Sequence, residues 1–457
     1  MIKRRYSIGI HQKSEQTIHL PVGFKKQIAE VCYVALGSRT AKCNTFLDDQ
    51  LRHSILLSKD LYLQLLIPHQ TKVDVFIHDE TLYFGPLIGI FSAGFHASTD
   101  PLGKRTDFFN NLLAECQKHF GFTYIFGSHS IDWELGVVEG LFLQDQQWTY
   151  KEVPLPTVVY DRLPSRKTEQ SARVQETKRR LMFDYDIPWF NPDFFNKWNI
   201  HEQLLTDERT LPFLPHSFQL HYLDALSKIG ALLHLHDVIY LKPMNGSFGN
   251  GIYQLKKEDV GFSLESATES RSAMCSHYQS IEEFFTDFQR NNNIHEYIAQ
   301  QGIELIQLNH RSLDFRVHTN KNTKGKWTIT AVAAKVSGDN CITTHVLSGG
   351  IVKTLAEVYT DPQKRLEIYH NLASTALLLS QVIDEKASGL IGEIGFDLGI
   401  DRTGAIWMFE ANSRPGRGIF EHVSLKNAKW LSTKRTVEYA AFLSKEAILT
   451  LDNLNLK

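Results

Sequence analysis

An α/β and α+β chain built in three pieces is predicted by three features of these 457 residues. Short alternating segments fill the sequence up to about residue 85, a strand–helix–strand texture follows, and from about residue 192 two hairpins carry polar side chains inside apolar strands. Each feature implies a different kind of local structure.

Residues 1–84 contain QTIHLPVGF, RHSILLS, DLYLQLLI and KVDVFIHDETLYF between polar turns, which predicts a small β-rich module. Residues 85–191 change texture. PLIGIFSAGF reads as a buried strand ending in glycine, residues 106–119 have helical spacing, and GFTYIFG returns to strand, so this is an α/β unit. A second strand pair, GVVEGLFLQ and PLPTVVYDRLPSR, ends near residue 166, and the charged helix RKTEQSARVQETKRRLMFD serves as a connector. The main domain is placed at 192–450, where the motifs crowd together, with residues 256–280 as a polar excursion.

A chain of this length is too long for one ordinary core, so two or three domains are expected. With 42% hydrophobic and 22% charged residues and a formal net charge of −2, the composition gives no electrostatic reason to propose nucleic acid or membrane as the main partner. The basic start MIKRRYSIGIHQKS lacks the apolar run of a signal peptide, and no segment approaches the roughly 18 apolar residues of a membrane span. An intracellular, cytoplasmic protein is expected. Five cysteines, Cys32, Cys43, Cys116, Cys275 and Cys341, are scattered with no CxxC pair, which points to buried or idle thiols.

The most informative run is GLIGEIGFDLGIDRTGAIWMFEANSRPGRGIF. Leu390, Gly392, Ile394, Phe396 and Leu398 alternate with Glu393, Gly395 and Asp397, and a turn from Asp401 to Gly404 leads into Ile406 to Asn412. That is a β-hairpin. Side chains switch faces at every strand residue, so Glu410 and Asn412 point the same way. With the turn centred between Arg402 and Thr403, Asp397 faces Met408, and Glu410 lies one diagonal, roughly 7–8 Å, further along the same face. Buried carboxylates need a cation to offset them. Asp397, Glu410 and Asn412 are hard oxygen ligands too few to complete an octahedron, which is how Mg²⁺ is held when nucleotide phosphates supply the rest.

A second run, HDVIYLKPMNGSFGNGIYQL, reads as a strand that delivers Lys242 and Pro243, then a loop from Asn245 to Gly251, then a strand again. Gly246, Gly249 and Gly251 let the backbone approach a ligand and turn its N–H groups inward, while Lys242 supplies a point charge for phosphate. This is neither a Walker A loop nor a dinucleotide GxGxxG turn, both of which open a helix. It reads as a flap over phosphates. Further on, a strand ends at Gln300, Gln301 and Gly302, a break that leaves backbone groups for an adenine edge. Asp314, Arg316 and His318 then share one face of a strand, and Lys335 closes the face begun by Ile329, Ala331 and Ala333. Arg316 and Lys335 suit the stabilisation of charge on a transferring phosphoryl group.

Taken in order, Lys242 with its glycine flap, the DFR strand, the Lys335 strand, Gly349 with Gly350, and the Asp397, Glu410, Asn412 hairpin resemble the ATP-grasp superfamily. More narrowly, NKW at 196–198, YDRLPSR at 160–166, KPMNGSFGNGI and EANSRPGR look like its YheC/YheD group of endospore coat-associated proteins. The resemblance implies an ATP-grasp fold preceded by a Rossmann-like pre-ATP-grasp domain and the small β-rich N-terminal module. It implies ATP and Mg²⁺ as cofactors. Lys197 and Lys242 would contact phosphates, Ser247, Phe248, Gly249 and Asn250 would cover them, and Gln300 and Gln301 would meet adenine. Glu304 is the candidate for the ribose. Asp397, Glu410 and Asn412 would bind the metal, Arg316 and Lys335 would act on the transferred phosphoryl group, and Arg414 would face the acceptor. The sequence departs from related ligases, which often carry arginine where Lys335 stands and asparagine where Thr344 or His345 stands. Lysine keeps the charge and loses the bidentate fork.

The expected function is that of an ATP-dependent ligase acting on a carboxylate substrate and a nucleophilic acceptor. The alternative is a nucleotide-binding structural protein without turnover, with spore coat association implied by the resemblance alone. Zinc hydrolysis is not expected, because His234 with His236 and His216 with His221 each lack a third ligand at useful spacing, and HLH reads as one strand face. Neither substrate nor the oligomeric state is encoded in a motif.

Overall fold

The computed structural model describes residues 5–13, 15–25, 31–96, 100–246, 250–266, 275–338 and 350–454, with 451–454 as backbone only. The chain divides into two compact units, one of Met1–Asp193, Lys321–Lys326 and Thr433–Lys457, the other of Phe194–Asn320 and Trp327–Ser432.

The first unit holds two sheets. In the eight-stranded one, spatial order runs Arg39–Lys42, Tyr33–Leu36, Thr81–Phe84, Lys72–His78, Arg5–His11, Ser54–Ser58, Thr17–Pro21, Asn44–Asp48. The first and last of these are consecutive in the chain, separated by Cys43 alone, so the sheet returns on itself. Its alternation places Ile8, Ile18, Val34, Ile55, Leu57, Val73 and Leu82 in one core. Pairing between Arg5–His11 and Ser54–Ser58 is parallel, as is that between Thr17–Pro21 and Asn44–Asp48, which excludes a simple meander.

In the second sheet, Leu87–Phe91 lies between Phe122–Phe126 and Val158–Asp161, all parallel. Leu87–Phe91 is buried along its whole length, as a central parallel strand covered on both faces must be. Helix Thr106–His119 covers one face, with Phe109, Leu112 and Leu113 sharing a core with Ile88, Ile90, Tyr160 and, from the long C-terminal helix Lys426–Leu454, Val437, Tyr439 and Leu443. Val137–Gln144 pairs with Gln147–Pro154 and Phe122–Phe126, and Val158–Asp161 pairs with Leu87–Phe91 and Trp189–Phe190. The expected pairing of GVVEGLFLQ with PLPTVVYDR is thus corrected: a parallel neighbour gives Val158 and Val159 burial on both faces. Buried Asp161 is neutralised by Lys178 at 3.3 Å and accepts from Trp189 Nε1 at 3.1 Å.

The second unit is built on two sheets with separate cores. One runs Ser217–Gln219, Tyr297–Gln301, Val238–Pro243, Tyr253–Lys257, Phe262–Ser266, Cys275–Tyr278. Helices Ala225–Leu235 and Ile281–Asn291 cover the face of Ile239, Leu241, Leu255 and Leu264, leaving Tyr240, Lys242 and Gln300 on the other. The stretch 256–280, expected as a polar excursion, instead supplies two strands, because Phe262, Leu264 and Tyr278 reach this core; residues 267–274 lie outside the described residues. The other sheet runs Ile351–Lys353, Trp327–Val336, Arg311–Lys321, Glu393–Ile400, Ile406–Asn412. It packs on helix Pro362–Lys386, which starts with Asp361 accepting from Gln363 N–H and proline at its first position. Among the described residues no helix is long and apolar enough to cross a membrane. His234 lies in helix Ala225–Leu235 and His236 caps it, so HLH is a helix end and not a strand face.

Candidate functional site

The polar face of the strands Arg311–Lys321, Glu393–Ile400 and Ile406–Asn412 gathers most of the residues singled out in the sequence. Leu313, Phe315 and Val317 on one side, and Ile394, Phe396 and Leu398 beside them, belong to the core. Alternation therefore turns Asp314, Arg316 and Asp397 to the opposite face, where Arg316 pairs with Asp397 in register.

The hairpin register differs from the expected one. Asp397 pairs directly with Glu410 and Leu398 with Met408, with a register shift between Asp397 and Leu398 that leaves Phe409 as an extra residue. This β-bulge resolves a conflict in the sequence. Ile406 and Met408 are core residues, and strict alternation from them would have turned Glu410 inward as well. With Phe409 inserted, Ala411 takes the next core position, Glu410 stands opposite Asp397 and Asn412, opposite Gly395, shares their face.

Asp397, only 9% exposed, is held by Arg316 through two parallel bonds of 2.8 and 2.9 Å and by Lys335 Nζ at 2.9 Å. Lys335 also reaches Asp314 at 3.1 Å. Burial would raise the Asp397 carboxyl, but the adjacent Arg316 and Lys335 charges outweigh it and hold it far below the usual carboxylate range. Burial likewise works against the charges of Arg316 and Lys335, and their carboxylate partners overcome it, so both end above their ordinary values. Glu410 is half-buried and meets Lys197 Nζ at 3.1 Å.

Lys197 opens helix Lys197–Leu205, which Asn196 caps by accepting from the N–H groups of Trp198 and Asn199. Its ammonium also donates to the Gly246 carbonyl at 2.6 Å, tying the start of the glycine loop to the hairpin. Lys242 donates to Gln300 Oε1, and Gln300 Nε2 donates to Ser217 Oγ. The Lys242 ammonium lies 5.3 Å from the Tyr240 ring centre and 5.4 Å from that of Phe409. Burial lowers its pKa to about 8, ahead of the opposing pull of Glu410.

Four cations, Lys197, Lys242, Arg316 and Lys335, thus stand with three carboxylates, Asp314, Asp397 and Glu410. The excess positive charge and the depressed Lys242 fit an anion such as a phosphate group, which would hold the Lys242 proton more firmly. Asp397, Glu410 and Asn412 fit a hard cation such as Mg²⁺ in ligand chemistry, and Glu410, with one cation contact at 3.1 Å, can turn to it with least disturbance.

Other expected residues are placed as follows. Ser247, Phe248, Gly249, Thr344, His345, Gly349 and Cys341 lie outside the described residues, while Asn250 is exposed in the turn that follows. Gly246 has no room for a Cβ, which would stand 2.5 Å from Pro243 Cγ. The expected backbone donors at the end of Tyr297–Gln301 are engaged: Gln301 N–H donates to the His216 carbonyl at 2.7 Å and Gly302 N–H to Val238 at 2.8 Å. The strand ends at Gln301, inside the expected break, but the backbone donors there are already used. Glu304 is exposed and pairs with Arg402 at 2.7 Å. Arg414 is buried, with its guanidinium carbon 4.2 Å from the Phe194 ring centre. Two residues of the cluster were missing from the expected site, Asp314 and Phe409; the apolar step of three from Met408 to Ala411 is the signal that marks the bulge.

The YheC/D like ATP-grasp family model matches residues 186–443. Endospore coat-associated protein YheD of Bacillus subtilis (strain 168) is 45% identical over 455 residues, covering 99% of this chain and 99% of that protein. The chain belongs to the YheC/D-like ATP-grasp family, and its fold is the ATP-grasp fold with an α/β unit and a β-rich module before it. Endospore coat-associated protein YheC of the same strain is 21% identical over 290 residues, 63% of this chain and 78% of that protein. Among solved structures, the D-alanine-D-alanine ligase from Coxiella burnetii aligns at 11% identity and a TM-score of 0.45, over 81% of this chain and 99% of that one.

Proposed function

We propose that this protein is an ATP- and Mg²⁺-dependent ligase that activates a carboxylate as an acyl phosphate for capture by an amine or similar nucleophile. The observation that carries the reading is the single polar face on which Asp397 and Glu410 pair with Arg316, Lys335 and Lys197, with the buried Lys242 in the same electrostatic neighbourhood. ATP supplies the phosphoryl group: a substrate carboxylate oxygen bonds to the γ-phosphorus as its bond to the bridging oxygen breaks and ADP leaves, and the nucleophile then displaces phosphate from the acyl carbon.

The chain's part is positioning and charge. Lys197 and Lys242 would hold phosphate oxygens, Glu410, Asp397 and Asn412 would hold the metal, and Arg316 and Lys335 would neutralise charge on the phosphoryl group in flight. Gln300 and Gln301 border the base, Asn250 belongs to the cover over the phosphates with Ser247, Phe248 and Gly249, Glu304 serves the ribose, and Arg414 serves the acceptor. The reaction takes place in the cytoplasm of a spore-forming cell, with the product or the protein destined for the spore.

ADP release, measured with and without a panel of carboxylic acids and amines, tests the reading. Release that needs both an acid and an amine, and that Glu410→Gln abolishes, is the expected result. The second reading, a spore coat-associated protein that binds nucleotide without turnover, is favoured by the names of the two Bacillus relatives. Nucleotide binding without ADP release across the panel, together with recovery of the protein in the coat fraction of sporulating cells, would select it.

A further inference from the structure

Cys43 stands at the seam of the eight-stranded sheet, as the single residue between Arg39–Lys42 and Asn44–Asp48, the first and last strands in spatial order. A second cysteine faces it. Tyr33–Leu36 and Arg39–Lys42 form an antiparallel hairpin in which Tyr33 pairs with Lys42, Val34 with Ala41 and Leu36 with Arg39. One step further in the same register brings Cys32 opposite Cys43, and the Cys43 N–H donates to the Cys32 carbonyl at 2.9 Å. The tight turn fixes that register. Gly37 has a φ of +58°, in the left-handed region, and Ser38 makes two bonds with Leu155, its N–H donating to the carbonyl at 3.1 Å and its hydroxyl accepting from the N–H at 3.1 Å. A slip by one residue would turn Val34 and Ala41 out of the core.

The two thiols share a face. Side chains alternate, so Cys32 lies on the side of Val34 and Cys43 on that of Ala41, both core residues, while Tyr33 and Lys42 are exposed on the other. Cys43 Sγ is 3.9 Å from Thr45 Oγ1, which donates to the Val31 carbonyl at 2.9 Å, so the sulfur lies toward the segment that carries Cys32. Residues opposite each other in antiparallel strands have Cα atoms about 4.5–5.5 Å apart, inside the span of about 4.4–6.8 Å that a disulfide bridges. Their Cβ atoms would close by about 1 Å. The last regular pair of the ladder is Tyr33 with Lys42, so this shift disturbs no strand pair beyond the cysteines. Of the other described cysteines, Cys116 is buried in helix Thr106–His119 and Cys275 faces Glu265 on a strand of the second unit.

We propose that Cys32 and Cys43 form a disulfide that fastens the seam of the β-rich module, made by exchange with a low-molecular-weight disulfide. Cys32 is half-buried, whereas Cys43 is buried and its thiol is pushed up to about 11 by that burial, so Cys32 is the point of entry. The Cys32 thiolate bonds to one sulfur of the external disulfide as the S–S bond breaks, and the other half leaves as a thiolate. Cys43 then gives up its proton, bonds to Cys32 Sγ and expels the second half. Two protein thiols are oxidised to one cystine, and the external disulfide is reduced to two thiols, which take up the two protons. The site does not rest on the nucleotide reading, since all of its residues belong to the first unit.

The test is oxidation of the folded full chain with glutathione disulfide, followed by alkylation, tryptic digestion without reductant and mass mapping. Cleavage after Arg39 and Lys42 places the two cysteines on peptides 27–39 and 43–52, which are expected to appear linked, with the link lost on reduction by dithiothreitol. Amide hydrogen exchange in Arg39–Lys42 and Asn44–Asp48 is expected to slow at least about tenfold on oxidation. Cys32→Ser should lose both effects, and Cys275→Ser, altered in the second unit, should keep both. Peptides recovered alkylated and unlinked, Cys32 held as a mixed disulfide with glutathione, Cys32 joined to a different cysteine, or exchange unchanged by the link would each overturn the proposal. If Cys32→Ser fails to fold, the parent and Cys275→Ser give the same discrimination.

Discussion

Asp397 and Glu410 face each other across the hairpin of Glu393–Ile400 and Ile406–Asn412 because Phe409 stands outside the register. One inserted residue lets Ile406, Met408 and Ala411 stay in the core while both carboxylates turn to the polar face. The two acids are nevertheless in different states. Asp397 is locked by Arg316 and Lys335, whereas Glu410 is half-buried and touches Lys197.

Substitution should separate those states. Asp397→Asn leaves two buried cations short of their shared counter-charge, and a loss of about 3 kcal/mol or more is expected in urea unfolding. Glu410→Gln should cost at most about 1 kcal/mol, as for other partly exposed pairs. Equal losses would mean that the Asp397 cluster is not the structural element its geometry implies. Glu410→Gln is accordingly the cleaner probe of activity.

Lys242 makes a pH prediction with two opposite signs. Its folded pKa of about 8 lies below the usual lysine value, so between the two the unfolded chain holds a proton that the native one has lost, and stability rises with pH in that window. Anion binding needs that proton. Mg-ATP affinity should fall above about pH 8, by up to about tenfold per pH unit. Lys242→Arg should flatten the profile between pH 7 and about 9.5, because guanidinium stays charged throughout. Calorimetric titrations of both proteins across that range decide it.

Gly395 offers a test of the packing behind the hairpin. A Cβ there would stand 2.5 Å from Pro415 Cβ, a rigid neighbour. Gly395→Ala should therefore destabilise by about 1–3 kcal/mol. A neutral effect in thermal unfolding would show that the segment carrying Pro415 yields freely.

Local patterns were legible in the sequence wherever one physical rule acted alone. The helix 106–119 and the strand in PLIGIF are written in spacing and apolar run length, and they occur where those rules place them. The shared face of Asp314, Arg316 and His318 follows from alternation. Partner choice was harder to read. Val158–Asp161 joins Leu87–Phe91 in parallel, and the strands before residue 85 form a sheet closed through Cys43, because long-range pairing is decided by core burial and not by neighbours in the chain. Unbroken alternation through Trp407 and Met408 gives no place to Phe409, whose bulge follows only from the core positions of Met408 and Ala411. Thr433–Lys457 joins the first unit, and only its packing with Phe109 and Leu112 reveals this.

A Mg-nucleotide site on the polar face around Lys242 and Glu410 is checked by thermal unfolding of the parent, Lys242→Ala and Glu410→Gln with ATP, with and without Mg²⁺. Nucleotide at 100 times its dissociation constant should stabilise the parent by about 2.7 kcal/mol. This rise is expected to require Mg²⁺, to disappear in Lys242→Ala and to diminish in Glu410→Gln. A parent that does not respond to millimolar Mg-ATP, or a response that survives in both variants, would contradict it.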